Sequence, residues 1–139
     1  MKNDFEHQVN KLIEILNKKD DIIGWKNEPR RDHSGKYLKS GGEKFDYIIF
    51  SKKNILCFDC KMTSTDKWKV VEKDIRQANN LIKIHNLGYF DIKCFFLIYF
   101  FTEKKYYYID ILNFVKVIET RKYISKYDCE IIKLEDLIL

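Results

Sequence analysis

The chain has 139 residues, a formal net charge of +5 and a sequence pI near 8.9, with 45% hydrophobic, 15% aromatic and 34% charged residues. That length suits one domain able to bury roughly 68–70% of its unfolded surface, and the aromatic content beside one proline and five glycines excludes a disordered or linker-like chain. No apolar run reaches the length of a membrane span and the polar start MKNDFEHQ lacks a signal-peptide core, so the expected setting is intracellular and cytoplasmic, with reduced cysteines.

Phe5, Val9, Leu12, Ile13 and Leu16 recur at helical spacing behind Asn3 or Asp4 as cap, which predicts an amphipathic helix over 4–19. Glu6 borders the apolar stripe; it is either an acid that complements the helix dipole or a third acid for a metal site. Residues 22–28 read as a short strand closed by Pro29. Residues 30–44, RRDHSGKYLKSGGEK, have no clear period and read as an exposed basic loop or projecting ribbon. Arg30, Arg31, Lys36 and Lys39 are candidate DNA-phosphate contacts there, with Tyr37 available to stack; a solvated basic loop is the plainer alternative. His33 is a lone histidine with no assigned ligand role.

The segment from Phe45 to Lys61, FDYIIFSKKNILCFDCK, has the grammar of a β-hairpin: apolar runs 47–50 and 55–58 around a polar four-residue connection. If Phe50 pairs with Ile55, Asp46 falls opposite Asp59. Like charges directly opposed across strands are destabilising unless something positive lies between them, and two carboxylates suit a hard, oxygen-preferring cation such as Mg²⁺. Lys61, two residues past Asp59, shares its face with Cys57, while Phe58 and Cys60 point the other way. An ammonium in that place can orient or deprotonate a water, or neutralise charge developing on a phosphate. Acid-x-lysine triplets also occur at Asp91/Lys93 and Glu103/Lys105, and chance supplies about four acid-x-base triplets at this composition. Only Asp59 sits inside an apolar strand, where an unpaired charge is costly; the plain alternative is a pair of half-exposed carboxylates matched with lysines. Cys57 and Cys60 face opposite ways, unlike a zinc knuckle, and no second pair follows.

Thr63 to Thr65 and Asp66 offer capping chemistry for a second helix, with Trp68, Val71, Ile75, Ala78, Ile82 and His85 as its stripe and Gly88 as its stop. Gln77 lies beside that stripe, placed to face the hairpin. Residues 92–101 read as a buried strand and 106–111 as its neighbour across a Thr-Glu-Lys-Lys turn. A helix over 113–122 and a terminal strand or short helix over 130–139 complete an α/β chain with a mixed central sheet of about four to five strands flanked by helices.

This order, with an acid, strand, acid-x-Lys hairpin at its centre, resembles the PD-(D/E)xK nucleases with their restriction-endonuclease-like core, and within them the RecU-type Holliday-junction resolvases. The likeness runs through Phe5, Glu6, Val9 and Asn10 in the first helix, FDYIIF, LCFDCKMT, IRQANNL and FFLIYF before YYYIDI. It implies that Asp46 and Asp59, with the backbone carbonyl of Cys60, bind Mg²⁺ or Mn²⁺, that Lys61 is the catalytic lysine, that Glu6 completes the acidic set and that Gln77 assists near the scissile phosphate. It implies a homodimer acting on branched DNA, with segment 30–44 as a stalk toward the junction and Thr63 among the DNA contacts; a phage or mobile-element origin is a guess beside it. The sequence departs from that pattern at Asp59, where glutamate is usual, and at Cys60 before the lysine. Two other functions fit the same residues: a restriction- or repair-type endonuclease on duplex DNA, or a non-catalytic nucleic-acid-binding protein whose site has lapsed.

Overall fold

The computed structural model describes residues 2–27 and 45–137. Helix α1 (Lys2–Leu16) buries Phe5, Val9, Ile13 and Leu16, residues three and four apart and hence on one face. Strand β1 (Ile23–Lys26) then runs antiparallel to β2 (Tyr47–Phe50), which forms the expected hairpin with β3 (Ile55–Thr63). The hairpin register pairs Phe50 with Ile55 and Tyr47 with Phe58. Its connection is closed by Ser51 N–H donating to the Asn54 carbonyl at 2.9 Å.

Helix α2 (Glu72–Asn86) carries the chain back across the sheet to β5 (Ile92–Phe100), which lies parallel to β3 over nine residue pairs. A parallel neighbour requires such a crossover. Strand β6 (Lys105–Asp110) returns antiparallel to β5, helix α3 (Ile111–Ile118) follows, and β8 (Glu130–Ile132) pairs with β6. The main sheet therefore has six strands in the order β1-β2-β3-β5-β6-β8, the terminal strand extending the five read within the chain. A separate two-stranded ribbon joins β4 (Lys67–Lys69) to β7 (Tyr123–Ser125).

That ribbon corrects two expectations. Trp68 does not open the second helix; it is the buried centre of β4, paired with Ile124. The Thr63 and Thr65 hydroxyls both donate to the Lys67 carbonyl, at 2.8 and 2.9 Å, and so shape a turn rather than a cap. Helix α2 starts at Glu72 with Val71 exposed, and its cap comes from inside: Val71 N–H donates to Asp74 Oδ2 at 2.9 Å. Its C-terminal stop is Gly88, with φ +77°, a left-handed conformation that glycine adopts without strain. The third helix begins at Ile111 rather than 113, because Asp110 caps it by accepting from Leu112 N–H at 3.0 Å, and it ends at Ile118, leaving Tyr123–Ser125 to pair with β4. The terminal segment contains both elements weighed for it, a strand over Glu130–Ile132 and a 3₁₀ turn over Leu134–Asp136.

Two packed cores result. On one side of the sheet α1 covers Tyr47, Ile49, Leu56, Phe58, Phe95 and Leu97. On the other, α2, α3 and the ribbon enclose Cys57, Trp68, Phe96, Ile98 and Phe114. All four cysteines are free thiols, and Cys57 and Cys60 fall on opposite sides as the strand period requires. Among the described residues no helix is long and apolar enough to cross a membrane.

Candidate active site

One step beyond the Tyr47–Phe58 pair, Asp46 and Asp59 meet across the hairpin and lock each other in place through the backbone. Asp46 N–H donates to Asp59 Oδ1 at 2.6 Å, and Cys60 N–H donates to Asp46 Oδ2 at 3.0 Å. Asp59 is fully buried and Asp46 half-buried. The remaining oxygen of Asp59, Oδ2, is buried and receives no hydrogen bond, although Lys61 Nζ lies 3.4 Å away. Burial, and then the charge of Asp46, push the Asp59 pKa up to about 7 against the pull of Lys61.

The period of β3 sends Lys61 to the same side as Asp59, where α2 receives it. Its ammonium donates to Gln77 Oε1 at 2.5 Å, lies 2.8 Å from Asp74 Oδ1, and sits 5.9 and 6.0 Å from the ring centres of Trp68 and Phe96. Burial works to lower its pKa, but Asp59, Asp74 and Asp46 together carry it above the ordinary lysine value. Lys61 is therefore an ammonium at neutral pH, a donor and a positive charge rather than a base.

The structure thus brings together Asp46, Asp59, Lys61 and Gln77. Cys60 points to the α1 side, where burial and then the charges of Asp46, Asp59 and Glu6 raise its thiol pKa well above the ordinary value. Glu6 adds to the same negative field from α1, but its carboxylate is part-exposed and ion-paired with Lys26 at 3.2 Å, and among the described residues no three acidic, histidine or cysteine side chains gather as a metal cluster. Thr63 stands at the end of β3 with its hydroxyl engaged in the turn to β4. Arg30, Arg31, Lys36, Tyr37 and Lys39 lie outside the described residues.

Sequence reasoning missed Asp74. It is one of two buried charged residues among those described, the other being Asp59. Asp74 and Gln77 are three apart on α2 and so share a face. The available signal was an acid three residues before the glutamine, three residues after a possible cap at Val71; placing the helix start too early concealed it.

The residues present fit a divalent cation. Two hard carboxylates converge, one inner oxygen is left without a hydrogen-bond donor, and the one ammonium beside the pair, Lys61, is shared with Asp74.

The family model for Recombination protein U matches residues 6–137 of this chain. Among solved structures, that of Hjc, a Holliday junction resolvase from the archaeal hyperthermophile Archaeoglobus fulgidus, is similar with a TM-score of 0.53 at 13% identity, over 87% of this chain and 86% of that one. At that identity the likeness is one of fold. No curated protein matches the chain.

Proposed function

The chain belongs to the Recombination protein U family, and on that footing we propose that it is a Holliday junction resolvase, a structure-selective endonuclease that hydrolyses DNA phosphodiester bonds at four-way junctions with Mg²⁺ or Mn²⁺. The observation that carries this reading is Asp59, a wholly buried carboxylate interlocked with Asp46, with one bare inner oxygen and an ammonium 3.4 Å away. A buried charge so poorly matched is costly in a purely structural role.

Asp46, Asp59 and the Cys60 carbonyl would hold the cation, with Glu6 as an outer carboxylate released from Lys26. Such an ion, when bound, supplies Lewis acidity and charge neutralisation at a phosphate. The protein's own groups do the rest. Lys61, kept protonated by its carboxylate neighbours, donates to a phosphate oxygen or holds a water in line with it, and Gln77 fixes the direction of that donor. Trp68 and Phe96 wall the ammonium on one side, which limits water and strengthens its field. Arg30, Arg31, Lys36 and Lys39, with Tyr37, meet the junction backbone, and Thr63 stands beside the path. A homodimer supplies two such sites, matching the two-fold symmetry of paired cuts on a four-way junction.

The test is cleavage of a synthetic four-way junction against linear duplex of the same sequence, with Mg²⁺ or Mn²⁺. Preferential junction cleavage is expected, with a loss of about 10³-fold or more in the Asp46→Ala and Asp59→Ala proteins, equivalent to about 4 kcal/mol of transition-state stabilisation. Equal rates on junction and duplex would move the assignment to a duplex endonuclease; full activity in both variants would remove the site altogether.

A further inference from the structure

We infer that Asp74 is a positioning residue, which holds the Lys61 ammonium beyond hydrogen-bonding contact with Asp59 and so leaves the inner oxygen of Asp59 without a donor, free to bind a cation. The inference rests on the metal-dependent reading of the site and gives α2 a part in it.

Three observations converge. First, Asp74 is buried, at 5% exposure, and splits its two oxygens between two tasks: Oδ2 accepts Val71 N–H at 2.9 Å, and Oδ1 faces Lys61 Nζ at 2.8 Å. An acid that only caps a helix has no need to bury its second oxygen against a strand across the core. Second, Lys61 keeps an ion-pair contact with Asp59 at 3.4 Å but lies closer to Asp74 and Gln77, at 2.8 and 2.5 Å. Two acceptors one helical turn apart therefore hold the ammonium on the α2 side. Third, Asp59 Oδ2 is left with no hydrogen-bond donor.

These facts have one consequence. An ammonium so deeply placed needs a carboxylate partner, and Asp59 offers the nearest alternative. Without the Asp74 charge, Lys61 closes on Asp59 Oδ2 and competes with a cation for that oxygen. Because Asp74 also sets the first turn of α2, one side chain ties the helix start to the placement of the lysine. Partners that orient metal-binding groups from behind act in the same way.

A double-mutant cycle separates this role from simpler ones. Mn²⁺ binding is measured by calorimetry at fixed pH on the full chain, its Asp74→Asn and Lys61→Met variants and the double variant, with thermal melts to confirm folding. Asn keeps an oxygen for Val71 N–H; Asp74→Ser is the second choice should the Asn variant fail to fold, with the same expectation. Asp74→Asn is expected to weaken Mn²⁺ binding about tenfold, in the range seen for residues behind a metal's ligands, and to have no effect once Lys61 is methionine. Equal weakening in both backgrounds would show a direct charge effect or a structural one, and no weakening in either would show an idle contact; each overturns the inference. Absence of Mn²⁺ binding in the unmutated chain would overturn the metal reading itself, and the inference with it.

Discussion

The two faces of strand β3 do different work. Toward α1 it presents Leu56 and Phe58, which join an aromatic stack: Tyr47 to Phe58 at 5.4 Å between ring centres and Phe58 to Phe95 at 4.9 Å, both nearly parallel. Toward α2 it presents Cys57, Asp59 and Lys61, and both buried carboxylates among the described residues belong to this side. Both faces of the strand lie against a packed core, but within its nine residues the buried charge falls on the α2 face alone. A register slip of one residue would exchange the two sets, so the aromatic stack also holds Asp59 and Lys61 on their proper side.

The largest expected effect tests the aromatic face. Phe58 is completely buried between two rings, and Phe58→Ala should cost about 3–5 kcal/mol of stability, through lost transfer energy and the cavity left behind. Urea denaturation measures it. Mn²⁺ affinity of the folded fraction should be unchanged; a matching loss there would show that the two faces are not separable.

The charged face should give the opposite sign. Asp59 has its pKa raised to about 7, chiefly by burial, so the folded protein binds a proton there that the unfolded chain has released. Stability from this group is complete below the unfolded value, near pH 4, and is lost as pH rises through about 7. Asp59→Asn does not titrate and keeps an oxygen for Asp46 N–H. At pH 8 without divalent ions the variant should therefore be the more stable protein, by up to about 4 kcal/mol, and the difference should vanish near pH 4. Mn²⁺ should reverse the order by stabilising the unmutated chain alone. A variant less stable than the parent at pH 8 would mean that Asp59 is already compensated.

The contrast between the faces was partly legible in the sequence. The hairpin connection fixes its register, so Asp46 against Asp59 followed from counting, and the strand period placed Lys61 beside them. The packing of α1 followed from its apolar spacing. Trp68 was not legible, because it fits a helical stripe with Val71 and Ile75 as well as it fits a Lys-Trp-Lys strand, and the choice is made by Ile124, a distant partner. The same ambiguity hid the true start of α2 and with it Asp74. Glu6 was readable only as a borderline acid, since its pairing with Lys26 depends on how α1 docks beside β1. Tertiary pairing outweighs local preference most easily in elements as short as β4.

The smallest expected effect sharpens what α2 contributes. Helices α2 and α3 pack on the same face and each has an aspartate at its N-terminal end that accepts a backbone N–H: Asp74 from Val71, and Asp110 from Leu112 at 3.0 Å. Asp110 precedes its helix and is part-exposed. Asp74 is the third residue of its helix and reaches Lys61. Asp110→Ala should therefore cost about 1 kcal/mol of stability, as ordinary cap removal does, with no change in Mn²⁺ affinity. Thermal melting and calorimetry on the one variant measure both. If metal affinity falls here as well, helix anchoring in general sustains the site, and the second oxygen of Asp74 loses its special standing.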